Sequence, residues 1–286
     1  MKSPESPIPV AYQKLLRQLL ALAGFLTLFC LMLLGYIAYF TQPQGWWSAW
    51  LAKSSAEVNT SAPSGLPNEE VEAFWTAPDI MAVGDSAQRA QLLYGKELVA
   101  HTAEYFGPEG AIEANKTNGL NCQNCHLDAG TKVFGNNYSR VAATYPKMRA
   151  RSGQVEDVYK RINDCFERSL NGTALDKDSP EMQAMAAYIQ FLGKDVPKGE
   201  KPAGSGFKEL TFLNRPIDPV HGKVVYEEKC VSCHQADGQG LKDAQGVYTY
   251  PPLWGPLSYN DGAGLYRMSN FAKYVKWNMP LGINHD

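Results

Sequence analysis

The chain has 286 residues, a formal net charge of −2, 44% apolar residues and six cysteines. That length accommodates one large domain or two ordinary ones, with enough apolar residues to fill their cores. The nearly balanced charge excludes a nucleic-acid-binding protein that depends on a broad basic excess, and six cysteines are too few for a disulfide scaffold.

The first feature along the chain is an uncharged apolar segment at residues 19–40. As an α-helix it spans about 33 Å, enough to cross a hydrocarbon core of about 30 Å. Residues 1–18 are richer in basic side chains than the stretch that follows the segment, which places them in the cytoplasm, and the indoles of Trp46, Trp47 and Trp50 suit a membrane interface. We expect a single-pass anchor in the cytoplasmic (inner) membrane with soluble domains facing the periplasm. A cleaved signal peptide is the alternative.

Two stretches rich in helix breakers divide the remainder of the chain. We expect a flexible periplasmic linker at residues 41–70, because residues 52–70 are rich in Ser, Ala, Pro and Asn. Residues 193–206 carry four Gly and two Pro, and they separate a first module at residues 71–198 from a second module at residues 199–286. No run alternates strongly enough to indicate a sheet, so we expect both modules to be mostly α.

Each module contains a Gly-Lys pair followed by a Cys-x-x-Cys-His motif. The pairs are Gly95-Lys96 and Gly222-Lys223, and the motifs are Cys122-Gln123-Asn124-Cys125-His126 and Cys230-Val231-Ser232-Cys233-His234. This motif is the attachment signature of c-type haem, in which both thiols bond to the porphyrin and the histidine binds the iron. A redox or zinc motif does not require histidine directly after the second cysteine. We therefore predict two covalently bound haem c groups, with His126 and His234 as proximal iron ligands.

Met279 is the best candidate for the distal ligand of the second haem. It follows an amphipathic run at residues 271–277 and precedes Pro280, which ends a helix and leaves the methionine on a loop. Met268 is the competitor, but it lies at the start of that run, where a methionine more often packs in a core. Ligation by histidine and methionine raises the reduction potential.

The first module has no comparable methionine loop, but it has an additional cysteine at Cys165. By base rate Cys165 is a buried structural residue. In a helix, however, Arg161 and Ser169 lie four residues on either side of it and flank the thiol. A nearby cation favours the thiolate, which is the form that binds iron or attacks sulfur.

The stretch from residue 129 to residue 155 contains no acidic residue. Its basic residues are Lys132, Arg140, Lys147, Arg149 and Arg151. A solvated basic surface and a pocket for an anion both remain open as interpretations.

In these stretches the sequence resembles the dihaem thiosulfate dehydrogenases, which join two thiosulfates into tetrathionate and also run in reverse as tetrathionate reductases. The most specific stretches are residues 161–172 (Arg-Ile-Asn-Asp-Cys-Phe-Glu-Arg-Ser-Leu-Asn-Gly), 181–185, 250–255 and 278–280. The resemblance implies two cytochrome c-like domains in tandem, here behind an N-terminal transmembrane helix. It implies that His126 and Cys165 bind the first iron and that His234 and Met279 bind the second. It also implies that Arg151, Arg161 and Ser169 line the substrate pocket.

The sequence departs from the family pattern in three respects. Members are usually secreted, whereas this chain carries a predicted anchor. The residue before Met279 is Asn278, where some members have a lysine that competes for the iron. The second module also ends seven residues after Met279, without the closing helix of the first module, so we expect it to be incomplete or completed by a partner.

The resulting prediction is a thiosulfate dehydrogenase or tetrathionate reductase. Thiolate ligation makes haem 1 the lower-potential centre, so electrons pass from haem 1 to haem 2 and on to a redox protein or a membrane quinone system. One alternative is a membrane-anchored dihaem electron carrier without its own substrate. Another is a thiosulfate-handling cytochrome of the multi-component sulfur-oxidising system.

Overall fold

The computed structural model describes residues 10–41, 73–211 and 213–283, and it divides the chain into two units, Met1–Glu69 and Glu70–Asp286. In the first unit, helix α1 covers Val10–Thr41. Its Arg17–Tyr36 portion has a mean hydropathy of 2.3, which is sufficient for a membrane span but also typical of a signal sequence. The predicted tryptophan cluster at Trp46, Trp47 and Trp50 lies outside the described residues.

The second unit is mostly helical, as predicted, and contains both Cys-x-x-Cys-His motifs. Its first part consists of a 3-10 turn (Ile80–Ala82), α2 (Ser86–Ala100), α3 (Thr102–Phe106), a 3-10 turn (Cys122–Asn124), α4 (Leu127–Gly130), α5 (Val141–Thr144), β1 (Lys147–Arg149), β2 (Gln154–Glu156), α6 (Val158–Asp164), a π-helical turn (Cys165–Ser169) and α7 (Pro180–Leu192). Its second part consists of α8 (Pro219–Lys229), α9 (Val231–His234), β3 (Leu241–Lys242), β4 (Tyr248–Tyr250) and α10 (Met268–Asn278). The division predicted at residue 198 lies inside this unit, so the domain boundaries stay predictions.

The core of the first part forms where α2 crosses α7. Asp85 caps α2 by accepting hydrogen bonds from the backbone N–H groups of Ala87 and Gln88, at 2.8 and 3.0 Å. Gly95 faces α7 at the crossing, where a Cβ atom would overlap the carbonyl oxygen of Ala184. The glycine therefore allows the two helices to approach closely and to bury the apolar side chains around the crossing. These side chains include Leu92, Leu98, Val99, Met182, Met185, Tyr188 and Leu192.

The second part has a smaller core. Leu265 and Tyr274 are buried there together with Leu127, which comes from the first part. Val275 and Met279 pack against this cluster and are partly buried. The core around the second motif is therefore completed by the first part of the unit.

Asparagine side chains join the two parts by hydrogen bonds to backbone carbonyl groups. Asn118 Nδ2 donates to Leu257 O and Ser258 O at 3.0 and 2.9 Å, and Asn260 Nδ2 donates to Glu167 O at 2.9 Å. In addition, Tyr274 Oη donates to the carbonyl of Asn124, inside the first motif, at 2.6 Å. These bonds hold the two motifs in one compact unit.

Two short antiparallel hairpins differ from the expectation that the modules contain no sheet. Strand β1 pairs with β2 from Lys147 opposite Glu156 to Arg149 opposite Gln154. Strand β3 pairs with β4 between Leu241 and Tyr250. Strands of two or three residues are too short to produce an alternating pattern in the sequence.

Candidate functional site

The first motif presents a histidine whose ring is already oriented for binding a metal. The 3-10 turn at Cys122–Asn124 brings His126 Nδ1 to 2.6 Å from the carbonyl oxygen of Asn136. Because a carbonyl oxygen only accepts hydrogen bonds, Nδ1 carries the proton and Nε2 keeps a free lone pair. Burial, together with the charge of Arg161 and against the hydrogen bond to Asn136, lowers the pKa of His126 to about 4, so the imidazole is neutral at pH 7.

A cavity lies beside this histidine. It brings together Cys122 and His126 of the motif with Arg161 and Cys165 from the later helical segment. The remaining walls are mainly apolar or aromatic: Tyr138, Val141, Tyr145, Val158, Ile162, Met185 and Ile189. Burial raises the pKa of Cys122 and of Cys125 to about 12, so both thiols are protonated at neutral pH. An apolar cavity with an attachment cysteine and two potential iron ligands fits a c-type haem.

Arg161 and Cys165 lie together in this cavity. Electrostatic interaction with Cys165, and then with Tyr145 and Asp164, raises the pKa of Arg161 against the lowering effect of burial. Among the described residues, no carboxylate lies within ion-pair distance of Arg161, so its guanidinium is available to an anion. The pair therefore combines a potential iron ligand with a cation that is not neutralised by a carboxylate.

A π-helical turn sets the position of Cys165. The N–H of Leu170 donates to the carbonyl of Cys165 at 2.9 Å, five residues back instead of the four of an α-helix. Buried Asp164 stabilises the turn through Arg168 Nη1 at 2.9 Å. Single π-helical turns inside helices are frequent at functional sites. Because this turn is wider, the α-helical spacing from which Ser169 was placed beside Cys165 does not continue through it.

The structure brings only some of the predicted substrate residues together. Arg161 and Cys165 line the first cavity, whereas Ser169 and Arg151 are not among the lining residues. The Nη1 atom of Arg151 donates to the carbonyl oxygen of Gly262 at 3.0 Å, which joins β1–β2 to the second part of the unit. None of the five basic residues between residues 129 and 155 lines the cavity. One of them, Arg149, forms an ion pair in which its Nε atom lies 3.6 Å from Oε2 of Glu156.

The second motif has the same histidine geometry as the first. His234 Nδ1 lies 2.9 Å from the carbonyl oxygen of Pro251, which leaves Nε2 available. A second cavity is lined by His234 and Met279 within apolar walls formed by Leu253, Leu265, Phe271, Tyr274 and Val275. Cys230 and Cys233 are partly exposed; Cys230 is the N-cap residue of α9, and Cys233 directly precedes His234 on that helix. These residues fit a second c-type haem.

The geometry distinguishes Met279 from its competitor. Met279 lines the second cavity, whereas Met268 is 66% exposed at the start of α10 and lies outside that cavity. Asn278 is buried, and its Nδ2 atom donates to the carbonyl of Phe134 at 3.3 Å instead of lining the cavity. Of the other histidines, His221 is exposed, His101 lies 3.1 Å from Glu104, and His285 is outside the described residues.

Sequence analysis missed the groups that orient the site. Both proximal histidines are held by backbone carbonyls, of Asn136 and Pro251, which no side-chain pattern reveals. Tyr138 stacks on His126 with ring centroids 4.4 Å apart and planes 26° apart. Cys125 lines the second cavity while Cys122 lines the first, so the first motif lies between the two cavities. The sequence contains no signal for this arrangement.

Two family models match the chain. The model described as "SoxA/TsdA, cytochrome c domain" matches residues 112–197, and the model described as "Cytochrome c" matches residues 220–277. The second unit therefore consists of two cytochrome c domains in tandem.

Curated relatives named thiosulfate dehydrogenase are similar over a large part of the chain. The protein of Allochromatium vinosum is 45% identical over 58% of this chain and 63% of its own length. The protein of Psychrobacter arcticus is 36% identical over 78% of this chain and 64% of its own length. The protein of Thiomonas intermedia is 32% identical over 82% of this chain and 74% of its own length. The chain thus spans slightly less than two thirds of the first two relatives.

A solved structure shares the fold. It is the thiosulfate dehydrogenase (TsdBA) of Marichromatium purpuratum in its "as isolated" form, with a TM-score of 0.67 and 28% identity. The match covers 74% of this chain and 46% of that one.

Proposed function

Because the chain belongs to the thiosulfate dehydrogenase family of c-type cytochromes, we propose that it joins two thiosulfates into one tetrathionate in the periplasm. The observation that carries the proposal is the first cavity, where His126, Cys165 and Arg161 converge beside an attachment cysteine. A pure electron carrier needs stable ligands at its haem, but it has no use for a cation in the haem cavity without a carboxylate partner.

The proposed cofactors are two haem c groups. Cys122 and Cys125 attach the first, with His126 and Cys165 as its iron ligands, and this haem supplies a one-electron acceptor beside the substrate. Cys230 and Cys233 attach the second, with His234 and Met279 as its iron ligands. The carbonyl-anchored histidines and the two cavities support this assignment.

The proposed reaction sets an electrostatic problem that Arg161 is suited to solve. Two thiosulfate dianions lose one electron each and form an S–S bond, with no proton taken up or released. At a separation of about 4 Å and an effective dielectric constant of about 20, the repulsion between two dianions is about 16 kcal/mol. A permanently charged guanidinium offsets part of this repulsion and offers several hydrogen-bond donors to the sulfonate oxygens.

Cys165 is the proposed sulfur-reactive residue of this chain. Its side chain lines the same cavity as Arg161, and a guanidinium nearby favours the reactive thiolate form of a cysteine. Arg151 and Ser169 are proposed as further substrate-binding residues on the family resemblance. The geometry supports them less, because Arg151 is hydrogen-bonded to Gly262 and Ser169 is not among the residues lining the cavity.

Electrons are proposed to leave through the second site to a redox protein or a membrane quinone system, and the reaction is proposed to be reversible. The position of the first motif supports this route, because Cys122 lines one cavity and Cys125 lines the other. The proposed location is the periplasmic face of the inner membrane, with α1 as a single-pass anchor.

The test is a stoichiometric assay of the purified haem-loaded protein with thiosulfate and an artificial one-electron acceptor. We expect one tetrathionate for every two thiosulfates consumed and every two acceptor molecules reduced. If the haems are reduced by a donor protein but thiosulfate yields no tetrathionate, the protein is an electron carrier and the proposed function is wrong.

A further inference from the structure

Tyr145 lies between the first cavity and a neighbouring groove at the surface. Its side chain lines the first cavity together with Arg161. It also lines the groove, which includes the exposed residues Pro146 and Gln190. Tyr145 itself is partly exposed. Its ring therefore forms part of the wall that separates the cavity from the surface of the molecule.

The backbone of Tyr145 is held in place, whereas its hydroxyl group is available. Tyr145 is the C-cap residue of α5, and its N–H donates to the carbonyl of Val141 at 3.0 Å. Its carbonyl oxygen accepts a hydrogen bond from Nζ of Lys198. Within the described part of the chain, no group is hydrogen-bonded to its hydroxyl oxygen. Tyrosine hydroxyl groups away from bulk water usually have a partner, so a bound ligand is a natural one here.

The charges around Tyr145 favour an anion as this ligand. The guanidinium groups of Arg161 and Arg149 and the carboxylate of Glu156 all interact electrostatically with the Tyr145 side chain. Glu156 forms an ion pair with Arg149, in which Nε and Oε2 are 3.6 Å apart. These two charges offset each other, and the positive charge of Arg161 remains in the cavity.

The hydroxyl group of Tyr145 is a hydrogen-bond donor at neutral pH. Burial raises the pKa of Tyr145, against the lowering effect of the two guanidinium groups, so the phenol keeps its proton. Two tyrosines nearby lack this combination of features. Tyr138 is buried and stacks on His126, and Tyr159 already donates from Oη to Oε1 of Gln183 at 3.0 Å.

We propose that Tyr145 is a further substrate-binding residue, whose hydroxyl group donates a hydrogen bond to a sulfonate oxygen of the thiosulfate that Arg161 binds. The proposal rests on the proposed function and adds a contact from a second element, since Arg161 lies on α6 and Tyr145 follows α5. An anion that leaves water needs donors for its oxygens. Donors at the sulfonate end leave the terminal sulfur, which forms the new S–S bond, at the opposite end of the ion.

The test compares haem-loaded Tyr145→Phe with the wild type. Phenylalanine keeps the ring in the cavity wall and removes only the hydroxyl group. Isothermal titration calorimetry with thiosulfate is carried out on fully reduced protein, in which the haems accept no electrons and thiosulfate is not consumed. We expect Tyr145→Phe to bind thiosulfate about tenfold more weakly, because a hydrogen bond to a charged group is lost. In the turnover assay, KM should rise by a similar factor while kcat changes little.

Tyr159→Phe is the matched control. Tyr159 lines the same groove but not the first cavity, and its hydroxyl group is bonded within the protein. This variant should bind thiosulfate as the wild type does. The haem content and the reduction potential of haem 1 should be unchanged in both variants.

Four outcomes overturn the proposal. Equal thiosulfate affinity in Tyr145→Phe and the wild type means that the hydroxyl group does not contact the anion, and an equal loss in Tyr159→Phe means that the groove was merely loosened. A changed potential of haem 1 with unchanged affinity assigns the hydroxyl group to the haem. Reduced wild-type protein that binds no thiosulfate contains no such site.

The proposed function is judged separately by the formation of tetrathionate in the wild type. If none forms but Tyr145→Phe still weakens thiosulfate binding to the reduced protein, the binding site is confirmed and the proposed reaction is wrong.

Discussion

At the scale of single residues, the arginines near the first cavity differ in their bonding partners. Arg149 faces Glu156 and Arg151 bonds to Gly262, so both guanidinium groups are engaged away from the cavity. Arg161 instead lies in the cavity next to Cys165. The sequence contains several arginines in this region, but only the tertiary structure shows which of them lines the cavity and which of them bond elsewhere.

Cys165→Met is the most direct test of the proposed chemistry. Methionine replaces the anionic ligand with a neutral thioether that still binds iron, so the reduction potential of haem 1 should rise. Both haems should remain attached, because Cys122 and Cys125 are unchanged, and tetrathionate formation should be lost. Redox titration, haem content and a tetrathionate assay measure these three effects. Wild-type turnover in this variant would return Cys165 to the role of an ordinary core residue.

Arg161→Ala should weaken thiosulfate use while leaving haem attachment intact. Hydrogen bonds to charged groups contribute about 1.5–3 kcal/mol, which corresponds to a loss of about 10- to 100-fold in kcat/KM. Arg140→Ala is the matched control, because Arg140 is exposed and belongs to the same basic stretch. Equal losses in both variants would show that general surface charge, and not the cavity cation, attracts thiosulfate.

At the scale of elements, the same helix occurs in two environments. Helices α2 and α8 have similar caps and a similar Gly-Lys pair, but only α2 is covered by another helix among the described residues. The positions of most helices could be predicted from the sequence, since caps and breakers are local signals. The burial of each helix could not be predicted in this way, because it depends on packing against a segment that is distant in the sequence.

A matched pair of glycine substitutions tests this difference. Gly95→Leu should lower the free energy of unfolding by about 3 kcal/mol, because the new side chain overlaps the backbone of α7. Gly222→Leu should change it by less than about 1 kcal/mol, because open space surrounds that position. Thermal and urea denaturation followed by circular dichroism compare the two. A large loss for Gly222→Leu would mean that α8 is already covered in the protein.

At the scale of the whole molecule, asparagine–carbonyl bonds and Tyr274 hold the two cytochrome c domains in one unit. Neutral hydrogen bonds of this kind stabilise a folded protein by about 1 kcal/mol each and are directional. Several such hydrogen bonds lie close to the first motif, so we expect the two haem motifs to be held at a fixed separation.

Membrane attachment is the whole-molecule property that α1 predicts. The uncharged run and the hydropathy of Arg17–Tyr36 should keep the haem-containing protein in the membrane pellet after an alkaline carbonate wash. Mass spectrometry of the mature protein supplies the control. A soluble chain that begins beyond residue 40 would identify α1 as a cleaved signal sequence.

The sequence by itself determined the two haem motifs, the mostly helical fold, and Met279 and Cys165 as candidate ligands. These features are covalent spacings or helical periodicities within about 20 residues, so a linear pattern records them. The tertiary structure decided the rest. It anchored His126 and His234 on distant carbonyls, placed Arg161 but not Arg151 among the residues lining the first cavity, placed the first motif between two cavities and, among the described residues, left α8 uncovered. Each of these outcomes depends on which remote backbone or side chain packs against a residue, and sequence spacing alone carries no information about such contacts.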